Sequence, residues 1–188
     1  MLHWSTPTGD PWAITEPVLN AIVATMENHT ESIDAISAKS HKPLENTFVT
    51  DVRDGVAIIP VVGPLFRYAN FLTFFMGASS YEILAKDFTS ALNNPDVKAI
   101  VLNIDSPGGE VNGCAEFANL IFEARGKKPI VAYASGDAAS GAYWVASACD
   151  EIVVSETSAL GSIGVVALYR NKKQDDGEGS LSRTEIVS

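Results

Sequence analysis

Positive charge is scarce in this chain: 13 Lys and Arg stand against 23 Asp and Glu, a formal net charge of -10 at pH 7. Phosphate binding needs clustered cations, so nucleic acid and an anionic membrane are excluded as main partners. Lys127-Lys128 and Lys172-Lys173 are pairs rather than clusters and read as solvated surface. Cysteine is equally sparse. Cys114 and Cys149 stand alone, without metal-type spacing or a disulfide-rich composition, which predicts reduced, partly buried thiols in a cytoplasmic protein. The three histidines, His3, His29 and His41, all fall in the N-terminal segment. Nothing in the pattern implies a metal or a cofactor. The start, Met1-Leu2-His3-Trp4-Ser5, has neither the basic opening nor the unbroken apolar run of a secretory signal. The most hydrophobic stretch, Val56 to Met76, is interrupted by Pro60, Pro64, Arg67 and Asn70, which argues against a membrane span.

What is present is enough apolar residue in 188 positions for one domain with a real core. Residues 1–45 read as a helical extension and linker: Thr15-Glu16-Pro17 opens a helix whose Val18, Leu19, Ile22, Val23 and Met26 share a face. The compact domain is expected over 46–188. There, Asp54-Gly55 between two β-rich runs predicts a tight hairpin. Phe71, Leu72, Phe74, Phe75 and Met76 follow in a segment that is either core or an apolar loop lining a peptide groove or a subunit contact. Ser79-x-x-Glu82 reads as a capping box for a helix ending at Asn93-Asn94-Pro95. Strand 97–104, a helix from Gly109 to Arg125, strand 130–134, a helix after Ser140 and strand 151–154 come next. Such alternation implies parallel pairing with right-handed crossovers, an α/β core. Near the end, 171–182 reads as an exposed loop and 183–187 as a returning strand.

Two glycine turns stand out. Ser140 follows a β-rich run and precedes helical spacing, so it sits where a strand-to-helix turn meets a helix N-terminus, with free backbone amides beside it. It is either an N-cap or a nucleophile. Upstream, Asp105-Ser106-Pro107-Gly108-Gly109-Glu110 breaks a buried strand, and paired glycines let backbone amides approach a ligand closely. Together the turns could aim an amide of Gly108 or Gly109 and one of Gly141 at one carbonyl oxygen, as an oxyanion hole requires.

Three blocks carry a resemblance. Asp105-Ser106-Pro107-Gly108-Gly109, Ala138-Ala139-Ser140-Gly141-Ala142-Tyr143-Trp144 and Leu160-Gly161-Ser162-Ile163-Gly164-Val165 resemble the signature blocks of the signal peptide peptidase A family of serine proteases, which includes phage capsid-assembly (prohead) proteases. The resemblance implies a Clp-protease/crotonase-like spiral of β-β-α units, with Ser140 as nucleophile, Gly108, Gly109 and Gly141 around the oxyanion, and Ser162 orienting a lysine base. Family spacing puts that lysine just beyond Ser188, so the protease domain reads as truncated at its C-terminus. Lys172 and Lys173 are poor substitutes, because neighbouring Asp175, Asp176 and Glu178 favour their charged form. The resemblance further implies a polypeptide substrate, a homo-oligomer, and action in the host cytoplasm or a prohead. Two alternatives stay open: an inactive assembly domain of the same fold, and a crotonase-type acyl-CoA enzyme.

Overall fold

The computed structural model describes residues 11–28, 49–69, 73, 77–171 and 182–187. Strands β2 (Asp51–Arg53) and β3 (Val56–Val62) form the expected hairpin, with Asp54 at φ 49° and Gly55 at φ 79°. Two successive positive φ angles are what a two-residue turn needs to match the strand twist. Along β3 the burial alternates, with Ala57, Ile59 and Val61 inward. β2 pairs no further than Ile58, so Pro60 and its missing N–H fall beyond the β2 ladder.

β3 runs parallel to β6 (Ala99–Ser106), β6 to β8 (Ile130–Ala139), and β8 to both β9 (Glu151–Val154) and β10 (Leu160–Gly161). The helices between them are α2 (Tyr81–Asn93), α3 (Cys114–Ala124) and α4 (Gly141–Ser147). Their apolar faces meet the sheet in one cluster holding Ile59, Leu84, Phe88, Leu102, Ile121 and Val145. Phe88 is fully buried and meets the Phe117 ring edge-on at 6.3 Å. Truncating such a side chain typically costs about 3–5 kcal/mol. The chain is therefore α/β, with its main sheet parallel apart from the β2 edge.

A second sheet runs β12-β11-β1-β7-β4-β5. It comprises β1 (Trp12–Ile14), β4 (Leu65–Phe66), β5 (Ser79–Ser80), β7 (Gly108–Glu110), β11 (Val166–Asn171) and β12 (Ser182–Val187). The helix expected from residue 17 is α1, Glu16–Asn28. Its Leu19, Ile22 and Val23 pack with Trp12, Ile14, Phe66 and Val166 in a second apolar cluster. The N-terminal segment thus contributes a strand to this sheet as well as a helix.

Three boundaries differ from the sequence reading, each for a local reason. The N-cap of α2 is Ser80, which accepts from the Ile83 amide; the Ser79 hydroxyl instead bridges the amide and carbonyl of Val62. α3 starts at Cys114 because Gly108–Glu110 pairs with β1 and β4 instead of coiling. β8 continues past residue 134 through an irregularity: Ile104 faces Ala134, but Ser106 faces Ala138. Gly136 lies in that irregularity, where an added Cβ would stand 2.2 Å from Asp105 Oδ1. Of the apolar 71–76 segment only Thr73, which is buried, lies within the described residues. Loop 171–182 falls almost wholly outside them.

Candidate active site

The Gly108 turn is shaped by Ser106. Its hydroxyl donates to the Gly63 carbonyl at 2.7 Å and accepts from the Gly108 amide at 3.2 Å, so the Gly108 N–H already has a partner. Gly108 itself lies at φ +99°, and a Cβ there would meet the Ala13 oxygen at 2.1 Å and the Gly141 nitrogen at 2.9 Å. These contacts put the two glycine turns side by side, with the Ala13 carbonyl next to both. The amide of Gly109 follows from the ladder. Thr15 N donates to Pro107 O at 3.2 Å and Val111 N to Pro11 O at 3.3 Å, flanking the Ala13/Gly109 pair. In the alternation of an antiparallel ladder that middle pair is also hydrogen-bonded, so the Gly109 N–H points at the Ala13 carbonyl.

Ser140 stands at the other turn, 7% exposed, with φ 52° and ψ -116°. A side chain in that region is strained and persists only when its surroundings impose it. Here the Ser140 amide donates to Gly161 O at 2.6 Å, and Trp144 N returns to Ser140 O at 3.0 Å. One bond pins the turn to β10 and the other to the first turn of α4. The hydroxyl makes no capping bond to α4. It donates instead to the Gly164 carbonyl at 3.3 Å, a long contact. Ser140 is thus the N-cap residue of α4 by position, without a side-chain capping bond. A strained strand-to-helix corner that projects its side chain away from the helix is how hydrolases expose a nucleophile.

Behind Gly141 lie two residues the sequence reading did not assign to the site. The Tyr81 hydroxyl donates to Glu110 O at 3.1 Å and sits 3.2 Å from where a Gly141 Cβ would be; the Cys114 thiol donates to Gly141 O at 3.4 Å. They tie β7, α2, α3 and α4 together around the turn. Burial raises the Tyr81 pKa well above 10. It pushes Cys114 up to about 11, against a smaller lowering by its hydrogen bond to Tyr81. A thiol so far above neutrality is not a nucleophile, so Cys114 is a packing and positioning group. No sequence signal marked either residue, because their partners are distant in the chain.

Of the remaining candidates, Ser162 alone lies within the described residues. Ser162 is exposed, at φ 53°, one residue past the Gly161 carbonyl that holds the Ser140 amide. Lys172, Lys173, His3, His29 and His41 lie outside the described residues. Among the described residues no group of His, Cys, Asp and Glu could hold a metal ion, and no helix is long and apolar enough to cross a membrane.

The sequence profile of peptidase family S49 matches residues 123–174, which include Ser140, Gly141 and Ser162. Over those residues the chain is similar to S49 peptidases. Capsid assembly protease C of Escherichia phage lambda is 33% identical over 120 residues, 64% of this chain and 27% of that protein. Head-tail preconnector protein GP5 of Enterobacteria phage P21 is 36% identical over 115 residues, 61% of this chain and 23% of that protein. The chloroplastic serine protease SPPA of Arabidopsis thaliana is 35% identical over 118 residues, 63% of this chain and 17% of that protein. The resemblance to signal peptide peptidase A-type serine proteases, phage capsid-assembly relatives included, is borne out. The chain spans about a quarter or less of the length of these relatives. Among solved structures, the 1510-N membrane-bound stomatin-specific protease with a substrate peptide aligns at TM-score 0.44 and 16% identity, over 66% of this chain and 49% of that one. An enoyl-CoA hydratase from Mycobacterium thermoresistibile aligns at TM-score 0.46 and 21% identity, over 60% and 51%.

Proposed function

We propose that this S49-like segment is the nucleophile-bearing part of a serine endopeptidase acting through an acyl-enzyme. The observation that carries the reading is the Ser140 corner: a strained, uncapping hydroxyl beside a second glycine turn, with the Ala13 carbonyl next to both. In this account Ser140 attacks the scissile carbonyl, the amides of Gly109 and Gly141 hold the oxyanion, and Gly108 shapes the turn without donating. A serine hydroxyl needs a base. That base is proposed to be a lysine beyond Ser188, oriented by Ser162. Bringing a lysine from about 10.4 to near 7 takes about 3 units, roughly 4 kcal/mol, which burial can supply.

The relatives named for phage capsid assembly favour a scaffold or capsid protein as substrate, hence action in a prohead or host cytoplasm. Residues 46–188 are taken as the protease domain and residues 1–45 as its extension. A homo-oligomer is supported by exposed apolar side chains near the third motif: Ile163 is 84% exposed and Leu160 40%. A crotonase-type acyl-CoA enzyme would use the paired amides but has no need of a strained hydroxyl at position 140. The test is hydrolysis of a fluorogenic peptide by the full-length protein. The Ser140→Ala variant, still folded by circular dichroism, should lose activity by a factor of about 10⁴ or more, by analogy with other serine proteases. Retained activity would end the nucleophile assignment.

A further inference from the structure

β1 is an unusual strand. It is three residues long, contributed by the far N-terminal segment, and lies between β7 and β11 in the second sheet. Its neighbours on both sides come from the candidate site: β7 begins with Gly108-Gly109, and β11 starts two residues after Gly164, whose carbonyl takes the Ser140 hydroxyl. An extended peptide added to a sheet edge gets affinity from main-chain bonds and specificity from alternate side chains. β1 is held in that way. Pro11 O, the Ala13/Gly109 pair and Thr15 N bond in succession along 107–111, and Trp12 faces Val166 on the other strand.

Ala13 occupies the decisive register. Its carbonyl oxygen accepts from the Gly109 amide, lies 3.1 Å from where a Gly141 Cβ would stand, and meets the point 2.1 Å away that is also 2.9 Å from the Gly141 nitrogen. The Ala13 carbonyl is therefore in the place where the account above puts the carbonyl of a substrate under attack. The Ala13 side chain lies beside the same turn: its Cβ is 3.5 Å from where a Gly141 Cβ would stand. Chain on both sides of the bond is anchored, by Trp12 edge-on to Phe66 at 5.9 Å on one side and by Thr15 O receiving the Val18 and Leu19 amides of α1 on the other.

We propose that β1 is held in the peptide groove as the chain's own first substrate and that Ala13–Ile14 is a self-cleavage site. The inference rests on Ser140 being the nucleophile. The hydroxyl oxygen bonds to the Ala13 carbonyl carbon while its proton passes to the amine base. The Ala13–Ile14 bond breaks as that proton goes to the Ile14 nitrogen, leaving a new amino terminus. Water then hydrolyses the Ala13 ester, freeing residues 1–13 as a carboxylate and restoring the hydroxyl. Until that fragment leaves, the groove is filled.

The experiment follows the intact mass and N-terminal sequence of full-length protein over time, beside Ser140→Ala and beside fluorophosphonate labelling. A chain starting at Ile14, a released 1–13 fragment, a rate independent of protein concentration and an uncut Ser140→Ala variant are the expected results. Protein that takes the probe on Ser140 yet keeps residues 1–13, or is cut elsewhere, overturns self-cleavage and leaves the peptidase reading standing. Cleavage whose rate rises with concentration overturns the assignment of β1 to its own groove. Protein that does not take the probe at all removes both.

Discussion

Replacing Ser140 by glycine and by alanine separates the strain at the corner from the chemistry of the hydroxyl. Both variants lack Oγ and its 3.3 Å contact to Gly164, so that loss cancels between them. Alanine keeps a Cβ at φ 52° and ψ -116°; glycine does not. A non-glycine residue held in such a region costs about 1–3 kcal/mol. Glycine returns about 0.5–1 kcal/mol of this through its freer unfolded chain. The glycine variant is therefore expected to be about 1–2 kcal/mol more stable than the alanine variant. For a chain of this size that is a Tm difference of about 2–8 °C. Parallel thermal melts by circular dichroism read it directly, and both variants should be inactive on peptide. If Ser140→Gly melts at or below Ser140→Ala, the corner stores no strain and the case for a built nucleophile loses its energetic support.

Three further outcomes follow from the same geometry. In Gly109→Ala the new Cβ would stand 1.9 Å from Leu65 O, so β7 must shift by about an ångström, and loss of one aligned oxyanion donor should lower kcat about 10² to 10³-fold while the protein still folds; steady-state kinetics well below the Tm would check it, and unchanged kcat would exclude this amide. Tyr81→Phe removes the donor to Glu110 O and should cost about 1–2 kcal/mol in urea melts, with wild-type stability showing that the hydroxyl does not brace the turn. Cys114 and Cys149 are raised by burial from 9.0 to about 11 and about 12, so the folded state holds thiol protons that the unfolded state gives up. Their contribution is fully present below about pH 9 and is lost as pH rises toward 11 and 12; Tm should fall over that window, and less steeply in a Cys114→Ala, Cys149→Ala variant.

The parallel α/β core was legible because its signals are local. Asp54-Gly55 can hardly do other than turn, and the alternation of Ala57, Ile59 and Val61 sets the buried face of β3 without tertiary information. The Ser140 corner was legible in place but not in conformation: spacing put a serine between a strand and a helix, whereas the choice between cap and nucleophile depends on φ and ψ imposed by the Gly161 carbonyl. β7 was missed because Gly-Gly-Glu has almost no intrinsic strand preference; β1 and β4 on either side make it a strand. β1 was missed for the complementary reason. Three residues carry no periodicity, and the partners of Trp12, Ala13 and Ile14 lie far along the chain. Tyr81 and Cys114 belong to the same class, since only packing brings them behind Gly141.

The most direct test of the account is to treat the full-length protein with a fluorophosphonate probe and map the adduct by peptide mass spectrometry. One adduct, on the Ser140 oxygen, absent after heat denaturation and absent in Ser140→Ala, is the predicted result. An adduct on another residue, or equal labelling of Ser140→Ala, would contradict it.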